Sequence, residues 1–148
     1  MSEHIVKIIP KDPYLHITEQ KAQEIKNYLK EKITADTIEI MMSKKPVFID
    51  CGANLQSVSC PLCKELLSFD WWGEAMDKAH KNNFADLAIE LPCCGKRCTL
   101  NDLLYNFPCG FASIEFDIVN PLVEPDNDCL VYIQNILEQP VHVIYAHV

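Results

Sequence analysis

The chain has 148 residues, 49% of them hydrophobic and 23% charged, with a net charge of −8 at pH 7. These are values of a soluble globular protein of one domain, or of a small domain carrying an insertion. The acidic balance argues against general nucleic-acid binding, which relies on a basic surface, and no apolar run is long enough to cross a bilayer.

The stretch MSEHIVKIIPKDP lacks the hydrophobic run and small-residue cleavage site of a signal peptide, so a cytosolic protein is expected. HIVKII reads as a strand closed by Pro10, and DPYLHI as a turn-rich connection. Thr18 is a good helix N-cap. Behind it, Ala22, Ile25, Leu29 and Ile33 recur at three- and four-residue steps, which makes one face of a helix. TIEIMM alternates, with Ile38, Ile40 and Met42 on one side of a half-buried strand, and PVFID follows as a further short strand. The part from His4 to Gly52 therefore reads β-α-β-β.

The middle, from Ala53 to Gly110, is rich in cysteine. Ser68 or Asp70 starts the helix DWWGEAMDKAHKN, with Trp72, Ala75, Met76 and Ala79 on one face and Asp70 and Glu74 near the positive end of its dipole. FADLAIELP is expected as a strand. Thr99 and Asp102 form a capping-box pattern for a short helix, TLNDLLY.

From Phe111 to Val148 the pattern returns to β-α-β. Ile114, Phe116 and Ile118 face one way along FASIEFDIVNP, and Ser113, Glu115 and Asp117 the other. Pro121 and Pro125 break the chain. Asp126 or Asp128 caps a helix striped by Cys129 or Leu130, Ile133, Ile136 and Leu137, Pro140 ends it, and VHVIYAHV is the closing strand. Two β-α-β units suggest an α+β fold, a ferredoxin-like split βαβ sandwich. It would form a single domain over residues 1–148, with residues 53–110 as a zinc-ribbon-like insertion.

Eight cysteines in a reducing compartment point to thiols rather than disulfides, and clustered thiols there most often bind zinc. CPLC, with Cys60 and Cys63 two residues apart, has the spacing of a zinc knuckle, a tight turn whose backbone N–H groups point at the sulfurs. In the second cluster, LPCCGKRC, the first cysteine follows Cys63 after 29 residues, Lys64 to Pro92, longer than the spacing of a minimal ribbon. Gly95 supplies a residue tolerant of positive φ directly after Cys94, which marks Cys94 as a ligand. Leu91 stands where a regular knuckle has its first cysteine, so the fourth ligand is Cys93 or Cys98. Cys93 needs a sharp bend, which Pro92 and Gly95 permit. Cys98 leaves an ordinary three-residue gap, with Lys96 and Arg97 to balance charge. Four bound sulfurs make a closed, structural zinc site. An open catalytic site would want His or Glu, for which His80, on the polar side of its helix, is a poor candidate.

Cys51 and Cys109 bracket the middle segment. They read as packing residues at turns, with a second metal pair or a redox pair as the alternatives, and Cys129 reads as core. His142 and His147 fall on the last strand, His4 near the first and His16 in a loop. The first and last strands are expected not to be neighbours, so no Cys–His dyad is implied. Asp50 and Cys51 end a strand, a place where active sites occur. Trp71 and Trp72 are adjacent and face different sides of their helix, so one is expected to pack on the core and the other to sit under the zinc site or at an exposed contact surface. There is no phosphate-binding glycine loop, G-x-S-x-G or H-E-x-x-H motif.

CPLC, DWWGEAMD, LPCCGKRCTLNDLLYNFPCGFASIEFDIVNP and VHVIYAHV resemble a family of uncharacterised small bacterial zinc-ribbon-containing proteins over about residues 47 to 148. The resemblance carries no activity. It implies Cys60, Cys63, Cys93 and Cys94 as the shared metal positions, which favours Cys93 over Cys98, and it shares Asn101, Asp102 and His147. The expected function is a cytosolic zinc-binding adaptor that meets a protein partner through the Trp71/Trp72 helix. The alternative is a small enzyme or ligand-binding protein with a pocket near Asp50, Asn101, Asp102 and His147.

Overall fold

The computed structural model describes residues 3–52 and 54–147. Ala53, the expected start of the insertion, and Val148, the expected last residue of the closing strand, lie outside them. In chain order the elements are β1 (His4–Pro10), α1 (Glu19–Lys32), β2 (Thr37–Ile49), β3 (Ser57–Ser59), β4 (Leu66–Leu67), α2 (Phe69–His80), β5 (Ala88–Glu90), β6 (Arg97–Thr99), a 3-10 turn (Leu100–Asp102), β7 (Leu104–Asn106), β8 (Gly110–Val119), α3 (Asn127–Leu137) and β9 (Val141–His147). The architecture is mixed α+β, with antiparallel sheets.

The largest sheet has the order β2-β8-β1-β9, every neighbouring pair antiparallel. Helices α1 and α3 each link two parallel strands of this sheet and leave one slot between them. The slot between β1 and β2 holds β8, and the slot between β8 and β9 holds β1, so the two β-α-β units interleave. The expectation that the first and last strands are not neighbours is therefore wrong. β1 pairs with β9 along its whole length, and His4 stands opposite His147.

Thr18 caps α1 by accepting from Lys21 N at 3.2 Å, and Asp126, not Asp128, caps α3 by accepting from Cys129 N at 2.9 Å. Both helices cover one face of the sheet. Ala22, Ile25 and Leu29 of α1 and Cys129, Ile133 and Leu137 of α3 are buried against Val6, Ile8, Ile38, Ile114, Phe116 and Ile118. Tyr28 and Tyr132 stack across the helix pair with ring centroids 3.7 Å apart. TIEIMM and PVFID form one strand, not two, with a break of register between Met42 and Val47. β2 is an edge strand, so the missing N–H of Pro46 breaks no ladder. β8 is central and is buried on both faces from Gly110 to Ile118, Glu115 and Asp117 included.

Between β2 and β8 the chain leaves this sheet and forms a three-stranded sheet, β4-β3-β7, and a hairpin, β5-β6. Ser68, not Asp70, caps α2 by accepting from Trp71 N at 3.1 Å. The expected strand FADLAIELP shrinks to Ala88–Glu90. The expected helix TLNDLLY is one 3-10 turn, because Leu104–Asn106 pairs with β3 instead. The Thr99–Asp102 capping box is present.

An aromatic hub joins this segment to the large sheet. Phe48 and Phe111 are cross-strand partners at the ends of β2 and β8, with centroids 5.2 Å apart. Phe111 reaches Phe84 at 5.3 Å, and Phe48 reaches Trp72 at 5.8 Å. Around them Val58, Leu87, Leu91, Leu100 and Leu103 form a second buried cluster.

Candidate metal centre

Two short hairpins carry the cysteines, and their backbone bonds match. In the β3–β4 turn, Cys60 N donates to Glu65 O at 2.9 Å and Lys64 N to Cys60 O at 3.0 Å. In the β5–β6 turn, Leu91 N donates to Lys96 O at 2.8 Å and Gly95 N to Leu91 O at 2.9 Å. Lys64 at φ 67° and Gly95 at φ 71° take the same left-handed position after the last cysteine of each turn. Cys63 thus corresponds to Cys94, and Cys60 to Leu91. Leu91 is 1% exposed and belongs to the second buried cluster, so its slot is filled by packing rather than by a thiol. Cys93 stands in the slot that Leu62 fills in the first turn.

The two turns face each other. One sulfur each from Cys60, Cys63, Cys93 and Cys94 lies within 4.8 Å of all the others, and Cys63 Sγ is 3.3 Å from Cys93 Sγ. A tetrahedron with metal–sulfur bonds of about 2.3 Å has edges of about 3.8 Å, so the set is of the size a four-sulfur ion requires. Cys60 is buried, Cys93 half-buried, and Cys63 and Cys94 are at the surface.

Two thiols of the cluster are shifted, in opposite directions. Burial pushes the Cys60 thiol up, but Cys63 N and Leu62 N, each donating to Cys60 Sγ at 3.3 Å, together with contacts from the Cys63 and Cys93 thiols, outweigh it and bring the thiol down to about 6. The Cys93 thiol goes the other way, up to about 12, through burial and its contacts with Cys63 and Cys60. A cation among these sulfurs would reverse that, since metal coordination deprotonates thiols outright. The residues present therefore fit a divalent, thiophilic metal.

Cys98 is outside the group. It sits on β6 opposite Ile89, half-buried, and its Sγ approaches Thr99 O at 3.5 Å. Burial and then Asp102 push its thiol up to about 11. His80 is exposed at the end of α2, edge-on to Phe84, and is not among the clustered donors.

The remaining candidates separate. Cys109 Sγ lies 3.2 Å from Cys51 Sγ, and burial and that contact push the Cys109 thiol up to about 12. Cys129 is buried in the helix-side core. His4 and His147 have ring centroids 5.1 Å apart, and His4 Nε2 is 3.7 Å from Glu124 Oε1. His16 and His142 are exposed. Asp50 Oδ1 accepts from Gly52 N at 2.8 Å. Asn101 donates to Lys11 O and accepts from Phe111 N, so it ties the middle segment to the sheet. Asp102 accepts from Thr99 N at 2.9 Å. Trp72 packs inside, its Nε1 donating to Tyr105 Oη at 3.3 Å, while Trp71 lines a cleft of about 520 Å³ with Glu74, Lys78, Ile89 and Arg97. None of Asp50, Asn101, Asp102 and His147 lines that cleft.

One feature had a weak signal in the sequence. Glu115 and Asp117 are buried side by side, 6% and 7% exposed, on the sheet face away from the helices. Burial, then the Asp117 contact, raises the Glu115 carboxyl to about 8. Their alternation with Ile114, Phe116 and Ile118 gave their face but not its burial, which follows from the central place of β8.

No family model, curated protein or solved structure matches the chain. No helix among the described residues is long and apolar enough to cross a membrane.

Proposed function

We propose that the protein is a cytosolic zinc-binding adaptor. Its large sheet and helix pair would be a ferredoxin-like sandwich, residues 53–110 a zinc-ribbon-like insertion, and Cys60, Cys63, Cys93 and Cys94 the ligands of one structural zinc ion. The convergence of four sulfurs from two matched turns carries this proposal. The strand order β2-β8-β1-β9 supports the sandwich. The motifs shared with small bacterial zinc-ribbon-containing proteins support the family. Zinc suits a closed four-thiolate tetrahedron and has no redox chemistry of its own. With every position taken by sulfur, the ion would hold the turns together and bind no water or substrate.

Protein purified without added metal should carry about one zinc per chain. Iron on the same sulfurs would refute zinc, and a folded, metal-free protein would refute the site.

The adaptor role rests on α2 and the sheet beside it. Both tryptophans are half-buried against the second cluster, but Trp72 is tied to Tyr105, while Trp71 lines the cleft and Phe69 is exposed, so these last two are the helix's contact residues. Leu66 and Leu104 are exposed and flank Ser59 in register, extending an apolar surface beside the first turn. A photo-reactive probe at Lys78 should cross-link a discrete protein in cells, and Trp71→Ala should cut the yield about tenfold. No adduct, or an adduct indifferent to Trp71, would count against the adaptor.

A further inference from the structure

A second pair of sulfurs lies apart from the four-cysteine cluster, where the middle segment leaves and rejoins the large sheet. Ile49 and Gly110 are the last paired residues of β2 and β8. Cys51 and Cys109 follow just beyond that rung, 58 positions apart in sequence, with their sulfurs 3.2 Å apart. Both thiols also turn toward one acceptor, Phe107 O, at 3.8 and 3.6 Å.

The two cysteines differ in access and freedom. Cys51 is 0% exposed. It is held by the next residue, Gly52, whose φ is +66° and whose Cα is pressed so close to the His147 carbonyl that a Cβ would collide with it. Asp50 Oδ1 fixes the same turn from the other side. Cys109 is partly exposed and follows a turn in which Phe107 has φ 54°. A disulfide requires the sulfurs to close to about 2.05 Å, a movement of roughly 1 Å from where they stand. A metal is not favoured, because the one cluster of three or more donors among the described residues is the set at Cys60, Cys63, Cys93 and Cys94.

We propose that Cys51 and Cys109 are a dithiol site that reacts with a low-molecular-weight disulfide and closes as a disulfide across the root of the middle segment. Cys109, the accessible thiol, attacks as its thiolate. A bond forms between Cys109 Sγ and one sulfur of the incoming disulfide, whose S–S bond breaks, and the departing thiolate takes a proton from water. Cys51, after losing its proton to solvent, attacks Cys109 Sγ and expels the second thiolate, which is protonated in turn. The two protein thiols lose two electrons and two protons, and the external disulfide gains them as two thiols. The Cys109 thiol stays protonated at neutral pH, so the exchange is slow.

The bond would enclose β3 to β7, with the four-cysteine cluster, in one covalent loop. Such a loop restricts the unfolded chain and raises the melting temperature by roughly 5–10 °C.

The test is incubation of the metal-loaded full chain with excess oxidised glutathione overnight, an acid quench, and peptide mapping by mass spectrometry. The expected product is a Cys51–Cys109 cross-link, with metal retained and the melting temperature raised. In Cys51→Ser, glutathione should remain attached at Cys109, because the resolving thiol is gone. Links confined to Cys60, Cys63, Cys93 and Cys94, or no link at all in the wild-type chain, would overturn the proposal. So would a Cys51→Ser protein with no adduct at Cys109. The wild-type map decides the matter even if the variant does not fold.

Discussion

Cys60 and Leu91 occupy equivalent places in two turns of the same build, and that one difference decides which thiols converge. Because Leu91 is packed, the second turn must draw its other sulfur from the slot after Pro92. On the proposed zinc site, Cys93→Ser should lose the metal, while Cys98→Ser, which alters a strand residue outside the cluster, should keep about one ion per chain; metal analysis of the two purified variants reads the difference. The pair CPLC and the dipeptide Cys94–Gly95 were legible in the sequence because tight turns have local requirements. Spacing left the choice between Cys93 and Cys98 open, since it depends on how β6 pairs with β5, and only the resemblance favoured Cys93. Glu115 has its own test. Its folded carboxyl is raised from the usual 4.5 to about 8, so the fold favours the protonated form. That contribution is complete below about 4.5 and is lost as the pH rises toward 8. The melting temperature should therefore fall across that window, and Glu115→Gln should flatten the fall in a pH series.

Helices were easier to place than strands at the scale of elements. Thr18, Ser68 and Asp126 each accept a bond from the backbone N–H three residues on, a strictly local device. Ser68→Ala should cost about 1 kcal/mol, seen as a lower denaturant midpoint with an unchanged slope. The 3.6-residue stripes on α1 and α3 were legible for the same reason: a helix makes its hydrogen bonds within itself. Strands make theirs with a partner. TLNDLLY has helical signals, a capping box and leucines at helical spacing, yet only its first turn obeys them, because Leu104–Asn106 gains a ladder with β3. PVFID joins TIEIMM because β8 is long enough to pair with both across the break at Met42 and Val47.

The whole molecule turns on the contact between the large sheet and the middle segment. Phe48 and Phe111 end two sheet strands and also belong to the middle segment's own core. Phe111→Ala should destabilise the protein by about 3–5 kcal/mol, measured by denaturant unfolding. If zinc braces the two turns, stripping it with a chelator should expose the amides of β3 to β7 to hydrogen exchange while β1, β8 and β9 stay protected, because the helix-side core is complete without any of the four sulfurs. The sequence by itself determined the local requirements of this protein: helix stripes and caps, the two cysteine turns, the alternation along β8, and the acidic charge. Only the tertiary structure decided that β1 lies between β8 and β9, that His4 meets His147, that Glu115 is buried, and that Leu91 packs in the slot that Cys60 fills in the first turn. The division follows from hydrogen bonding and packing between distant residues, because strand partners and buried neighbours are set by where other segments settle, which no local spacing records.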